Sequence, residues 1–153
     1  MDGAKALPRI GVGAVIWRGD EVLLVRRAKM PRAGEWSLPG GRQETGETVS
    51  AALIREVREE TSVEIEVLGL IDVVDAIFPA NGDDGGYHYT LIDFSARFVS
   101  GEARAGDDAS EVAWVPLGQL PRYEMWSQTL RIVEQSARLH GPLADGREPR
   151  SEP

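Results

Sequence analysis

The chain reads as an α/β protein, a mixed β-sheet flanked by two helices. Three observations predict this. Short apolar runs rich in β-branched and aromatic residues recur along most of the 153 residues, a Gly- and Pro-free segment interrupts them from Thr48 to Thr61, and a second helical stripe follows near the end. With 42% hydrophobic residues, a chain of this length buries one good core, so a single domain over residues 9–139 is expected, with 1–8 as an extension.

Taken in order, Ile10 to Trp17 and Val22 to Arg26 are apolar runs joined by Arg18-Gly19-Asp20-Glu21, which predicts a hairpin. Trp36 to Gly41 is a short extended segment ending on a double glycine, where backbone can approach a ligand with no Cβ in the way. Thr48 to Thr61, rich in Ala, Leu, Arg and Glu, predicts a helix of about four turns. Ile65 to Ile77 predicts one long strand bent near Gly69, and Tyr87 to Val99 another, with a Gly-rich loop from Phe78 to Gly86 between them. A strand over Glu111 to Val115, a turn over Leu117 to Leu120 and a closing helix over Glu124 to Leu139 follow. The Pro- and Gly-bearing stretch 140–153 is expected to be a disordered tail.

The chemistry concentrates on the first helix. At about 100° per residue, Glu56, Glu59 and Glu60 share an arc of roughly 100°, opposite Leu53, Ile54, Val57 and Thr61. Like charges spaced three and four apart repel unless a cation sits among them. Clustered carboxylates are hard ligands suited to Mg2+ or Mn2+. Zinc is disfavoured, because the chain has no cysteine and its two histidines, His88 and His140, lie far from this segment.

From Gly41 to Val63 the chain reads GRQETGETVSAALIREVREETSV. Gly41, Glu47, Arg55, Glu56, Val57, Glu59, Glu60 and Val63 fit the pattern G-x5-E-x7-R-E-U-x-E-E-x-G-U, which resembles the Nudix hydrolase box. One position departs, since Ser62 stands where the box has its second glycine. A side chain there either strains a left-handed helix exit or rearranges it.

The resemblance implies a Nudix α/β/α sandwich and metal-dependent hydrolysis of a diphosphate linkage. It implies that the Gly41 carbonyl joins Glu56 and Glu60 on metal, that Glu59 is a ligand or the general base, and that Arg55 orients an acidic side chain, Glu47 first among them. Outside the box, Glu102, Asp107, Asp108 and Glu111 are candidate bases, and Glu111 is favoured because it precedes a strand that would aim it at the metals. Arg26 or Arg27 can hold a phosphate, although one of two adjacent strand residues must face elsewhere. Tyr87, Tyr89, Tyr123 and Trp126 either stack on a base or belong to the core.

The segments around Val25-Arg26-Arg27, Gly34-Glu35-Trp36 and Tyr87 to Phe94 are similar to the ADP-ribose and nucleoside diphosphate sugar pyrophosphatase branch. That likeness implies a small nucleotide substrate and a homodimer. A triphosphate pyrophosphohydrolase that cleans the nucleotide pool, and a non-catalytic nucleotide sensor, are the alternatives. The net charge of −8 opposes binding to long nucleic acid. The absence of a signal-like start or a membrane-length apolar run leads to a cytoplasmic expectation.

Overall fold

The computed structural model describes residues 7–30, 32–79 and 86–144. Seven strands, β1 (Arg9–Arg18), β2 (Glu21–Arg27), β3 (Trp36–Ser37), β4 (Gly40–Arg42), β5 (Glu64–Phe78), β6 (Tyr87–Ser100) and β7 (Ala109–Pro116), form one sheet. Helix α1 (Val49–Thr61) and helix α2 (Ser127–Leu139) complete the fold. The main path runs β3-β2-β1-β6-β5, with β4 attached to β1 and β7 to β2. Only β1 and β6 run parallel among the named strand pairs, so the sheet is mixed as expected.

Strand β1 is apolar throughout because both of its faces are covered. Val12, Ala14 and Ile16 pack with Leu53 and Val57 of α1, while Val15 and Trp17 pack with Ile132, Val133 and Ala137 of α2. One edge of β1 lies on β6. The other edge changes partner: Trp17 and Arg18 pair with β2, the Ala14 N–H donates to the Pro39 carbonyl at 2.9 Å, and Gly11 to Gly13 pair with β4. A cavity of about 620 Å³ opens there, lined by residues from all these strands and from both helices.

Several boundaries move from their expected places. Strand β7 begins at Ala109, and a 3-10 helix fills Leu117–Arg122 where a shorter turn was expected. The closing helix starts at Ser127, not Glu124, because the preceding backbone is captured by β3. The Trp36 N–H donates to the Glu124 carbonyl at 2.8 Å, and Met125 makes a β-bridge with Trp36. The expected disorder does not begin at 140. His140 Nδ1 lies 2.8 Å from Ser95 Oγ, and Leu143 packs on the α2 core. Residues 145–153, 1–6 and most of the expected 78–86 loop lie outside the described residues. The bend near Gly69 is present as register shifts between Val67 and Asp72. Among the described residues no helix is long and apolar enough to cross a membrane.

Candidate active site

Helix α1 opens on Thr48, whose side chain accepts a hydrogen bond from the Ala51 N–H at 3.1 Å. It closes on Ser62, which takes the left-handed conformation (φ 64°, ψ 20°) and donates its N–H to the Arg58 carbonyl at 2.9 Å. The departure from glycine therefore leaves the helix exit in place, at a cost of about 1–2 kcal/mol for a non-glycine residue there. Ala52, Leu53, Val57 and Thr61 are buried against the sheet, so the opposite stripe presents its acids toward β4 and the preceding loop.

Arg55 organises that stripe. Its Nε and Nη2 grip both oxygens of Glu47 at 2.6 and 2.8 Å, its Nη1 reaches Glu56 at 2.8 Å and Glu59 at 3.2 Å, and Nη2 also donates to the Arg42 carbonyl at 3.0 Å. The pairing with Arg55, helped by the Glu44 N–H, holds the Glu47 carboxyl far down, at about 2. The same bonds raise the Arg55 guanidinium above its ordinary range. Glu47, the acid named first for Arg55, is thus in direct contact with it.

Glu60 sits in a different environment. Burial pushes its carboxyl up to about 7; the Gly40 N–H, donating at 3.1 Å, and the charge of Arg27 only partly oppose this, while Glu56 and Asp108 add to it. Glu56 and Glu60 line the cavity beside Gly40 and Gly41. A Cβ at Gly41 would run into the Glu56 carboxylate, so glycine there lets Glu56 keep this position.

Among the described residues no three acidic or imidazole groups converge into a finished ion cage. The donor set nevertheless fits a hard divalent cation. Two carboxylates face one cavity with a glycine backbone between them and no thiolate or imidazole, and Mg2+ characteristically completes its shell with waters and substrate oxygens. Arg27, Lys29 and Arg32 line the same cavity; the charge of Arg27 acts on Glu60, and Lys29 pairs with Asp108 at 2.7 Å. Acidic and basic groups gathered in one cavity are suited to a polyphosphate whose charge is shared between cations and guanidinium groups.

The sequence model of the NUDIX domain matches residues 7–135. The chain belongs to the Nudix hydrolase family. Its Nudix core is similar to the ADP-ribose pyrophosphatase of Methanocaldococcus jannaschii, 36% identical over 115 residues, covering 75% of this chain and 66% of the relative. It is also similar to the putative 8-oxo-dGTP diphosphatase 2 of Mycobacterium tuberculosis H37Rv, 35% identical over 142 residues and covering 91% of this chain and 96% of the relative. The crystal structure of a MutT NUDIX hydrolase from Burkholderia pseudomallei superposes with a TM-score of 0.75 at 36% identity, covering 85% of this chain and 98% of that one.

Not every expected residue reaches this Nudix site. Arg27 lines the cavity, whereas Arg26 turns away, its Nε on the Gly34 carbonyl at 2.9 Å and its Nη1 on Glu111 at 2.8 Å. Arg26 and Glu111 are register partners between β2 and β7, which explains the pair. Glu111 is half exposed and is not among the cavity residues; Asp108, one of the other candidates, is, and it pairs with Lys29 at 2.7 Å. Glu59 is mostly exposed beside Arg55. Tyr87, Tyr89 and Trp126 line the cavity, while Tyr123 packs edge-on against Trp36 with ring centroids 5.2 Å apart.

Arg32 and Asp93 are among the cavity residues that the residue pattern did not single out, as is Lys29. Arg32, with a left-handed backbone (φ 61°), bonds Glu35 at 3.1 Å and lies over the rings of Phe78 and Trp126 at 5.0 and 5.3 Å. Asp93 is 6% exposed on the cavity floor. Its signal was available: an acid in the apolar run Leu91-Ile92-Asp93-Phe94 is out of place in a buried strand unless it has a task.

Proposed function

We propose that this Nudix protein hydrolyses the diphosphate linkage of a nucleoside diphosphate joined to another moiety, ADP-ribose or a nucleoside diphosphate sugar, with Mg2+ or Mn2+. The observation that carries this reading is one cavity, large enough for a nucleotide, lined both by Glu56 and Glu60 and by Arg27, Lys29 and Arg32. The relative from M. jannaschii supports the choice of ADP-ribose.

When bound, the divalent ion neutralises phosphate oxygens and acidifies a coordinated water. The Gly41 carbonyl, Glu56 and Glu60 would hold it, with Glu59 able to join as a ligand. Arg55 and Glu47 act as positioning residues, fixing Glu56 by a guanidinium whose other bonds are already saturated. Arg27, which lines the cavity, binds phosphate oxygens and orients the linkage for attack. Asp108, at the acidic end of the cavity, is placed to accept a proton from the attacking water, with Glu59 and Glu111 as the other carboxylates to be compared. A homodimer is supported by the exposed apolar residues Leu70, Val73 and Ile77 on the terminal strand β5, and sedimentation velocity tests it.

A second reading, hydrolysis of nucleoside triphosphates to monophosphate and pyrophosphate, is favoured by the similarity to the M. tuberculosis protein along 96% of that relative's length. Product chromatography separates the two. ADP-ribose with Mg2+ or Mn2+ is expected to yield AMP and ribose phosphate faster than any triphosphate yields pyrophosphate. The reverse order would establish the second reading. No turnover across nucleoside diphosphate sugars, dinucleotides and triphosphates would remove both.

A further inference from the structure

We propose that Asp93 is a nucleobase-reading residue, a side chain on the cavity floor that pairs with the hydrogen-bonding edge of the substrate's base. This rests on the nucleotide reading above and deepens it. Asp93 lies on β6 between Gly13 of β1 and Asp72 of β5, its register partners. Its side chain points to the α2 face, where the cavity is also walled by Leu38, Leu91, Thr129 and Ile132. Room for the carboxyl depends on Gly13, since a Cβ there would stand 2.5 Å from Asp93 Oδ1.

No hydrogen bond reaches this carboxyl among the described residues. A buried polar group without a partner is a liability to stability and persists where a ligand supplies the partner. The surroundings also choose its charge state. Burial is the main cause that raises the Asp93 carboxyl to about 7; Asp72 of β5 adds to this, and Arg131 of α2 opposes it from an ion pair with Asp72 at 3.2 Å. Gly13 of β1, its register partner, and Leu38 of the β3-β4 link, which lies near the same point, carry no charge. As a neutral acid Asp93 offers an O–H donor and a carbonyl acceptor side by side. That pair matches a base edge on which an acceptor and an N–H lie next to each other. An ionised carboxylate would offer acceptors only and would suit a sugar diol instead.

The same cavity holds Glu56, Glu60 and Arg27, so a nucleotide with its phosphates at those residues can extend its other end toward Asp93. Tyr89 and Trp126 supply rings for the faces of the base.

Calorimetric titration of AMP, GMP, CMP, UMP and the base-free ribose 5-phosphate into the full chain, with Asp93→Asn and Asp93→Ala beside it, tests the assignment without relying on turnover. All four bases carry an acceptor beside an N–H, so the wild-type chain is expected to bind its preferred nucleotide about tenfold or more tightly than ribose 5-phosphate. Asp93→Asn, still neutral with a donor and an acceptor, should stay within about threefold for that nucleotide, and Asp93→Ala should lose most of the difference. Raising the pH through about 7 should weaken wild-type binding more than that of Asp93→Asn, which shares every other titrating group of the cavity. Equal wild-type affinity for the nucleotides and ribose 5-phosphate, an undiminished difference in Asp93→Ala, or the same pH dependence in wild type and Asp93→Asn would each overturn the assignment. Failure of the nucleotide reading would look different: none of the four monophosphates would bind at all, and the substrate panel would show no turnover.

Discussion

Glu47 and Glu60 belong to one motif, one just before helix α1 and the other in its last turn, yet their carboxyl groups are held at opposite ends of the carboxylate range, at about 2 and about 7. The difference comes from what surrounds each. Glu47 has both oxygens on the Arg55 guanidinium and accepts the Glu44 N–H besides. Glu60 is sunk beneath Gly40 with one backbone donor and with acids for neighbours. One carboxylate is spent on holding the helix and its arginine; the other is kept short of partners and facing the cavity. Sequence spacing marks both as acidic, and their environments are what separates the supporting role proposed for Glu47 from the chemical one proposed for Glu60.

The comparison breaks most visibly if the two ends are neutralised in turn. Glu56→Gln and Glu60→Gln are each expected to lower turnover by about 10³-fold in saturating Mg2+ while the protein remains folded, because each removes a ligand without adding bulk. Circular dichroism and product release read both quantities. Exhaustive chelation of the wild-type protein should abolish turnover equally. Activity within tenfold of wild type in either variant would return the cavity acids to a passive role.

Arg55→Ala attacks the supporting end, and its effect should be smaller, about 10²-fold in turnover, accompanied by a lower Tm because Glu47, Glu56 and Glu59 lose their shared cation. Arg55→Lys should recover only part of the turnover, since an ammonium cannot grip both Glu47 oxygens in one plane. Full recovery by lysine would mean that charge alone, and not the bidentate geometry, positions Glu56.

The same contrast sets opposite pH dependences in chelator. Glu47 is depressed in the folded state, so its stabilisation is present above its ordinary value of 4.5 and is lost as pH falls toward about 2. Glu60 is raised, so the folded state binds the proton more tightly and stability declines as pH climbs from 4.5 to about 7, by roughly 3 kcal/mol from the size of that shift. The Tm of the metal-free protein should therefore peak near pH 5. Because Asp93 is raised in the same way, Glu60→Gln should reduce the alkaline decline by several degrees without removing it and leave the acid side alone, and millimolar Mg2+ should do likewise by binding the folded site. An acid-side change in Glu60→Gln would show that the two ends are coupled.

Much of the fold and the acidic helix could be read from residue types, because amphipathic spacing and glycine placement act locally. What the sequence hid depends on register and backbone capture. Glu124 and Met125 carry a helical pattern, but Trp36 takes their backbone into a sheet contact and α2 waits until Ser127. The burial of Glu60 requires β4 to lie over it, and the exposure of Asp93 to the cavity requires Gly13 beside it across the parallel β1-β6 pair. Helix periodicity shows neither. Arg26 and Arg27 alternate as strand residues must, but which of the two enters the cavity follows from pairing with β7.

Glu111 supplies the smallest expected effect and the sharpest check on where the reactive acids end. Placed just before a strand, it looked aimed at the metals; in the fold it stands across from Arg26, half exposed and 2.8 Å from that guanidinium. Exposed pairs of this kind contribute about 0–1 kcal/mol, so Glu111→Gln should change Tm by a degree or two and kcat by less than threefold. Asp108→Asn, at the acidic end of the cavity and close enough to influence Glu60, should lower kcat about tenfold or more with KM little changed. Measured together under saturating substrate, the two variants discriminate sharply. A loss near 10²-fold in Glu111→Gln with a silent Asp108→Asn would mean that the Arg26 pair opens during turnover and that Glu111 swings in as the base. Silence in both would leave Glu59, exposed beside Arg55, as the carboxylate that takes the proton.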